Sequence, residues 1–329
     1  MRERSWEKTF TAAAQSIYAL LQYTDKKEMY TLVDVMGLTG HAFRMNIHPN
    51  DVSPAGPTMF SPTELLEKGL GTLGFTCEQL YGFRTPAPVE KLEEAIKFAQ
   101  ESIDRGIPAI GWSLFIPEFG VIYGYDDEKQ ELYCKDPSHD GPLPYAKLNE
   151  LPLNHVFMLR IRDSYSVDAV AAWKEALDRI VQFARGQAPI LSEEFRHGLA
   201  GYDAWIQAFR GGNVNPFGNA YNAEVVGDAR EHAARFLRTL SEKWQGVSVL
   251  DDRIRQLADE AAEYYDKVAE AFIEFQRLFP HPHGGEPNDP VNAEEAIRLL
   301  EQAKADESSG VAVLERMREE LVYKEVTYK

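Results

Sequence analysis

Two carboxylates, Glu118 and Asp136, stand at the ends of a predicted β-hairpin and are the side chains best placed to do chemistry. The sequence there reads PEFGVIYGYDDE from residue 117 and ELYCKDP from residue 131. Two strand-like runs joined by an acidic turn indicate an antiparallel pair. A carboxylate in this position can anchor an amine or act as a general base. The alternative is that Glu118 follows Pro117 in an exposed turn and contacts only solvent.

A second group of polar side chains lies in GLTGHAFRMNIHP, which begins at residue 37. Arg44 could supply a fixed cation for a ligand carboxylate, because its planar guanidinium donates two parallel hydrogen bonds. His41 could contact the same ligand. The alternatives are that Arg44 pairs with one of the 52 acidic residues and that His41 bonds to a loop carbonyl.

The cysteines and the histidine-rich loop carry weaker signals. Cys77 and Cys134 have no disulfide-like or metal-like spacing, which favours two buried thiols in a reducing compartment. His281 and His283 flank a proline and lack a clear third ligand, which favours an ordinary loop over a metal site. We therefore expect no metal and no cofactor.

Composition limits the class of partner. The chain has 329 residues, 44% of them hydrophobic, and a formal net charge of −17. This charge argues against a nucleic-acid surface and favours cationic or neutral ligands. No signal-like segment and no apolar run of membrane-spanning length is seen, so we expect a cytoplasmic protein without membrane contact. A dimer is compatible with the sequence but not required by it.

The elements before residue 165 predict an α+β domain. TAAAQSIYALLQY predicts a short helix, and SPTELLEKGLGTLG predicts another with Ser61 as its N-cap. PVEKLEEAIKFAQESIDRG predicts a third helix that ends at Gly106 in a left-handed conformation. Four strand-like runs between residues 107 and 163 then predict a four-stranded antiparallel sheet covered on one face by helices.

The chain becomes helical after residue 165. Apolar residues recur at helical spacing in three long segments, and two shorter ones follow them, so we predict a bundle of five or six helices. The predicted domains are therefore an α+β domain over residues 1–165 and a helical domain without a sheet over residues 166–329.

These segments resemble a known family. GIPAIGWSL, FGVIYGYDDEKQELYCKDP and the early TAAAQSIYALLQY are similar to the butirosin-biosynthesis-H-type N-terminal domain, a relative of the papain-like cysteine peptidases that cleave double-glycine leaders. GNAYNAEVVGDAREHAARFLRTL resembles the helical extension of uncharacterised bacterial members. The resemblance implies a papain-like domain followed by an all-helical one.

The resemblance also implies where a catalytic triad would stand. The nucleophilic cysteine would fall near Ala12, the histidine near Glu118 and the orienting carboxylate at Asp136. Only the last position matches the family. Ala12 offers a methyl group and Glu118 a carboxylate, and these cannot form the thiolate–imidazolium pair that the reaction needs. The resemblance therefore does not predict cysteine-peptidase activity.

Two classes of function are compatible with a triad that lacks its cysteine and its histidine. The first is a pseudoenzyme whose cleft binds a small molecule or peptide through Glu118, Asp136, Arg44 and His41. The second is an acyl or aminoacyl transferase in which Glu118 acts as a general base without a covalent intermediate. A scaffolding role without a ligand is a third, less specific alternative.

Overall fold

A computed structural model of the chain describes residues 5–327 and divides it into two compact units. We call residues 12–35 and 66–167 the sheet unit. The rest, residues 5–11, 36–65 and 168–327, we call the helical unit. Each unit is described by itself below.

The regular elements follow in chain order. The α-helices are α1 (Ala12–Leu21), α2 (Leu32–Leu38), α3 (Lys68–Thr72), α4 (Val89–Asp104), α5 (Ala169–Ala184), α6 (Leu199–Gly211), α7 (Pro216–Lys243), α8 (Val249–Leu278) and α9 (Pro290–Thr327). The strands are β1 (Asn46–Ile47), β2 (Phe75–Arg84), β3 (Ala109–Trp112), β4 (Phe119–Asp126), β5 (Glu131–Lys135), β6 (Asp140–Pro144), β7 (His155–Ser164) and β8 (Arg196–His197). Helices and antiparallel strands together make an α+β protein, as the sequence predicts. No helix in the described part of the chain is long and apolar enough to cross a membrane.

The sheet unit contains a six-stranded antiparallel sheet in the order β2-β7-β3-β4-β5-β6. The four central strands are the predicted ones, and the prediction of only four strands is wrong because it omits both edges. β6 carries two prolines, which an edge strand tolerates because one side of its backbone donates no ladder bond. β2 places Glu78 and Gln79 within its run, which breaks the apolar alternation.

Helix α4 covers one face of this sheet. Its buried residues Ala95, Phe98 and Ala99 pack in one cluster with side chains of β4, β5 and β7. The helix ends before Gly106, whose φ of 82° confirms the predicted left-handed residue. The predicted helix after Ser61 is also present, although it opens with a wide π turn over Thr63–Glu67 before α3.

The helical unit contains α5 to α9, and local sequence fixes where several of them begin. Asp168 caps α5 by accepting from the backbone N–H of Ala171, and Asn215 caps α7 in the same way at Gly218. Ser248 and Asp251 form a capping box at the start of α8. The two segments predicted as the last helices are one continuous helix, α9.

Gly310 lies in the middle of α9 without ending it. A Cβ atom built there would lie 3.2 Å from the ring of Tyr265 and 3.3 Å from Cβ of Tyr264. A larger side chain would therefore press against α8. The glycine permits close helix packing, which explains why a residue that usually weakens helices stands here.

The division of the chain differs from the predicted boundary at residue 165. The junction between Val167 and Asp168 is close to it, but residues 36–65 group with the helical unit. Phe43 packs against the rings of Phe236 and Tyr265, with centroids 6.2 and 5.0 Å away. β1 also pairs with β8, so the helical unit has a two-stranded sheet of its own, and the prediction of a helical domain without a sheet is wrong because β1 comes from residues 36–65.

Candidate functional site

The first position of the predicted triad lies at the start of a helix. Ala12 is the first residue of α1, and Ala12, Ala13 and Ala14 are all buried. α1 packs against β3 and β4 within the sheet unit. A helix N-terminus lowers the pKa of a thiol placed there, but residue 12 presents only a methyl group. This position offers no nucleophile.

Glu118 lies directly before β4 and is only 9% exposed. The backbone N–H of Ser113 donates to the carbonyl of Glu118 at 2.8 Å, and the N–H of Glu118 donates to the carbonyl of Ile116 at 2.6 Å. These bonds close the loop of residues 113–118 that joins β3 to β4. Glu118 therefore lies in a tight, buried turn and not in open solvent.

Asp136 lies directly after β5, and its carboxylate accepts hydrogen bonds from two loops. Oδ2 accepts from the backbone N–H groups of Phe115 and Ile116, each at 3.0 Å. Oδ1 accepts from the backbone N–H and hydroxyl of Ser138, each at 2.8 Å, and from the N–H of His139 at 3.0 Å. Five donors use the roughly four lone pairs of a carboxylate. Asp136 therefore holds the backbone of the 113–118 loop.

The register of β4 and β5 brings Glu118 and Asp136 to the same end of the strand pair. Val121 pairs with Lys135, which places Gly120 opposite Asp136. A Cβ atom built on Gly120 would lie 2.5 Å from the carbonyl oxygen of Lys135 and 2.9 Å from Cβ of Asp136. Only glycine allows this close approach. The sequence prediction of neighbouring strands ending in these two carboxylates agrees with this arrangement.

Ser113 is a residue of this site that the sequence does not single out. It has a positive φ of 58°, is fully buried, and its Oγ has no hydrogen-bond partner among the described residues. Both features are energetically costly, and a positive φ at a residue other than glycine is found often at functional sites. No local signal in GWSLF marks them, because serine is common in ordinary turns.

Neither cysteine is activated. Cys134 is buried on β5, and burial, followed by the nearby charge of Asp136, raises its pKa. Cys77 is half-buried on β2, and burial together with Glu67 raises its pKa to about 12. At neutral pH both groups are thiols and not thiolates.

This gives a prediction for thiol reactivity. Iodoacetamide reacts with the thiolate, so both cysteines should be labelled slowly at pH 7. Labelling of Cys77 should become about tenfold faster for each pH unit up to its pKa of about 12. Mass spectrometry of the alkylated peptides measures both rates. Fast labelling at pH 6 would show an activated thiol and contradict this account.

His41 and Arg44 belong to the helical unit. Arg44 is 8% exposed, its guanidinium lies 4.5 Å from the ring centroid of Phe60, and Nη2 donates to the carbonyl of Pro57. His41 is 1% exposed, and its Nδ1 lies 2.6 Å from Oγ1 of Thr39. Burial, with smaller contributions from Arg44 and Arg179, holds the pKa of His41 well below its ordinary value. This imidazole is neutral at pH 7.

The four predicted ligand-binding residues are therefore divided between the units. Glu118 and Asp136 lie in the sheet unit, and His41 and Arg44 lie in the helical unit. Each pair is a candidate site within its own unit. No protein-family model matches the chain, and no curated protein is significantly similar to it.

Proposed function

We propose that the chain is a papain-like protein of the butirosin-H type that has lost the cysteine-peptidase reaction and binds a small molecule or peptide. The observation that supports this most directly is the methyl group of Ala12 at the start of α1. Peptide cleavage in this family needs a thiolate beside an imidazole. Position 12 lacks the thiol, position 118 holds a carboxylate, and the carboxylate of Asp136 bonds to loop N–H groups.

Glu118 indicates the chemistry of the ligand. It is about nine-tenths buried, so solvent screens its attraction for a cation less than it would at the surface. The net charge of −17 raises the local concentration of cations around the protein. Both features favour a ligand that carries an amine, such as a polyamine, an aminoglycoside or the amino terminus of a peptide.

The test is a binding measurement with a single-atom change in the site. Glu118→Gln keeps the shape of the side chain but removes its charge, so we expect at least tenfold weaker binding of spermidine or kanamycin in calorimetry. Tenfold corresponds to about 1.4 kcal/mol, within the range for a hydrogen bond to a charged group. Added salt should weaken binding less than it weakens a surface pair, because the site is partly buried.

Glu128→Gln is the matched control. Glu128 lies in the exposed turn between β4 and β5, and the substitution changes the net charge by the same amount. Its effect on amine binding should be less than twofold. Equal effects of the two substitutions would mean that amine binding depends only on the net charge of the protein. This result would contradict a binding site at Glu118.

The second candidate function is amine acyl transfer with Glu118 as the general base. The observation that favours it is the backbone strain at Ser113 in the same loop, since such strain occurs often at active sites. The amine nitrogen would form a bond to the carbonyl carbon of an acyl thioester and lose a proton to Glu118. The C–S bond would then break, and the leaving thiolate would take this proton from Glu118 and depart as the thiol. Incubation with spermidine and an acyl thioester, followed by mass spectrometry, separates the two functions. An acylated amine that Glu118→Gln does not form would favour transfer.

A further inference from the structure

A strip of ring-shaped side chains crosses three neighbouring strands of the sheet unit at its surface. We call it the tyrosine platform and define it as Tyr123 on β4, Tyr133 on β5 and Pro142 on β6. Tyr123 is 41% exposed, Pro142 is exposed and Tyr133 is half-buried. Pro142 is the register partner of Tyr133, and directly paired residues place their side chains on the same face of a sheet. Three adjacent strands give the platform a length of about 10 Å.

The platform lies on the sheet face opposite helix α4. The two neighbours of Tyr133 in β5 belong to the buried cluster that contains α4, so Tyr133 lies on the other face, because side chains alternate along a strand. Tyr123 reaches this face through a bulge. The pairing of β4 with β5 shifts register between Ile122 and Gly124, which leaves Tyr123 as the extra residue. Bulges re-aim side chains in this way and are frequent next to functional sites.

The two tyrosine rings are held nearly parallel in the free protein. Their planes differ by 25°, and their centroids are 6.4 Å apart. The hydroxyl of Tyr123 donates to Oδ1 of Asp140 at 2.8 Å. Tyr133 is paired with Gly124, where a Cβ atom would lie 3.1 Å from Cδ2 of the ring, so the glycine leaves room for the ring against the strand. Rings that are already in position lower the entropy cost of binding.

Hydrogen-bond donors and acceptors frame the platform at both ends. Lys135 pairs with Asp140 at 2.9 Å at the end of β5. Lys129 pairs with Asp126 at 2.8 Å in the turn between β4 and β5, and it lies within electrostatic range of the phenol of Tyr133. All four charged side chains reach solvent. Their ammonium and carboxylate groups can therefore bond to a ligand as well as to each other.

A sugar ring matches this combination of flat rings and charged edges. The C–H bonds of a pyranose pack on the negative face of an aromatic ring, and its hydroxyls bond to charged side chains beside it. Addition of a peptide strand at β6 is disfavoured, because two of its five residues are prolines, which donate no backbone hydrogen bond. Bases of single-stranded nucleic acid also stack on tyrosines, but the net charge of −17 disfavours their phosphates.

We propose that the tyrosine platform binds a neutral oligosaccharide with flat, extended β-1,4-linked rings. Two consecutive rings stack on Tyr123 and Tyr133, and their hydroxyls bond to the two Lys–Asp pairs. This site goes beyond the proposed amine site and does not depend on it. Tyr123 lies roughly 15 Å along β4 from Glu118, and the platform takes a ligand without charge.

Saturation-transfer NMR on the full chain with cellotetraose and sorbitol tests the proposal. Both probes carry many hydroxyls, but only cellotetraose has the ring faces that would stack on tyrosine. We expect cellotetraose to bind, with the strongest transfer at its ring C–H protons, and sorbitol not to bind. Tyr123→Ala and Tyr133→Ala should each weaken binding about five- to tenfold, which corresponds to the loss of one aromatic contact.

Tyr23→Ala is the matched control for these two variants. Tyr23 is 59% exposed and belongs to the same unit, but it lies outside the platform. Its substitution should change cellotetraose binding less than twofold. Glu118→Gln should also leave this binding unchanged, so this test and the test of the amine site fail independently. Spermidine has no sugar ring, so its binding does not report on the platform.

Tyr123→Phe and Tyr123→Ile keep the test decisive if an alanine variant does not fold. Both residues are apolar and favour strands, but only phenylalanine presents a ring face. Tyr123→Phe should bind cellotetraose within twofold of the unmodified chain, and Tyr123→Ile should bind about fivefold more weakly.

Three results would overturn the proposal. The first is equal binding by Tyr123→Phe and Tyr123→Ile. The second is absent transfer to cellotetraose, or equal transfer to cellotetraose and sorbitol, with the unmodified chain. The third is a dimer that Tyr123→Ala dissociates in analytical ultracentrifugation, because the platform would then be covered by a second copy of the chain.

Discussion

Glu307→Gln should lower the free energy of unfolding of the helical unit by about 3–5 kcal/mol, because it leaves a buried guanidinium without its countercharge. Glu307 on α9 is 1% exposed, and Arg230 on α7 is fully buried. Two hydrogen bonds of 2.9 and 2.7 Å join them, and the hydroxyl of Tyr202 donates to the same carboxylate at 2.6 Å. Both side chains are buried, so solvent does not screen the charge that remains on Arg230 in the variant.

The position of Arg230 explains why the effect should be large. Its Nη1 donates to the carbonyls of Ala42 and Arg44 at 3.0 and 3.1 Å, so the pair also holds residues 42–44. Burial alone would lower the pKa of Arg230, but the Glu307 carboxylate outweighs it and raises the pKa above the ordinary value. Glu307→Gln removes this compensation, and because a guanidinium is not deprotonated in proteins, Arg230 stays charged and its desolvation cost is no longer offset.

Urea unfolding followed by tryptophan fluorescence measures this change. Four of the five tryptophans, among them the fully buried Trp205, belong to the helical unit and report on it. The matched control is Glu301→Gln on the same helix. Glu301 and Arg210 form an exposed pair at 3.4 Å, so this change should cost less than about 1 kcal/mol.

The double variant Arg230→Met/Glu307→Met should be less destabilised than the sum of the single variants, because neither charge then remains buried alone. If Glu307→Gln and Glu301→Gln cost the same, the buried pair does not stabilise the unit and this account is wrong.

The sequence predicts those helices and strands in which apolar residues recur at the spacing of the element along its whole length. α4, α7 and α8 each carry an amphipathic stripe, and the hairpin of β4 and β5 has strong turn residues between its strands. Each of these elements has one apolar face that must be buried, whichever other element packs against it. Their existence therefore depends on neighbouring residues in the chain, which the sequence displays directly.

The pairings that stabilise each unit internally join residues that are distant in the chain, so no local pattern in the sequence shows them. Arg230 and Glu307 are 77 positions apart, and nothing near Glu307 marks it as buried. Residues 36–65 join the helical unit because Phe43 and the carbonyls beside it meet α7. The positive φ of Ser113 and the five donors to Asp136 likewise arise from tertiary structure.

Asp136→Asn should expose the loops on either side of Asp136 to hydrogen exchange and lower the free energy of local opening by about 2–3 kcal/mol. Hydrogen bonds to a charged acceptor contribute roughly 1.5–3 kcal/mol each, and bonds to one carboxylate are not additive. Asparagine has one acceptor oxygen, and its NH2 group would face N–H donors on the other side. Exchange of peptides covering residues 113–118 and 136–139, measured by mass spectrometry, reports this opening.

Asp140→Asn is the matched control four residues away. Asp140 pairs with Lys135 at 2.9 Å and accepts from Tyr123 at 2.8 Å, but its side chain is 49% exposed. The same substitution there should change local opening by less than about 1 kcal/mol and should leave the 113–118 loop protected.

The outcome distinguishes two roles for Asp136. If it anchors the loop, Asp136→Asn disturbs residues 113–118 even without ligand, and it weakens amine binding only because Glu118 is less well positioned. Combining it with Glu118→Gln should then add little further loss of binding, since both changes act on one contact. If Asp136 contacts the ligand directly, its substitution would leave exchange in the free protein unchanged, and the two losses of binding would add.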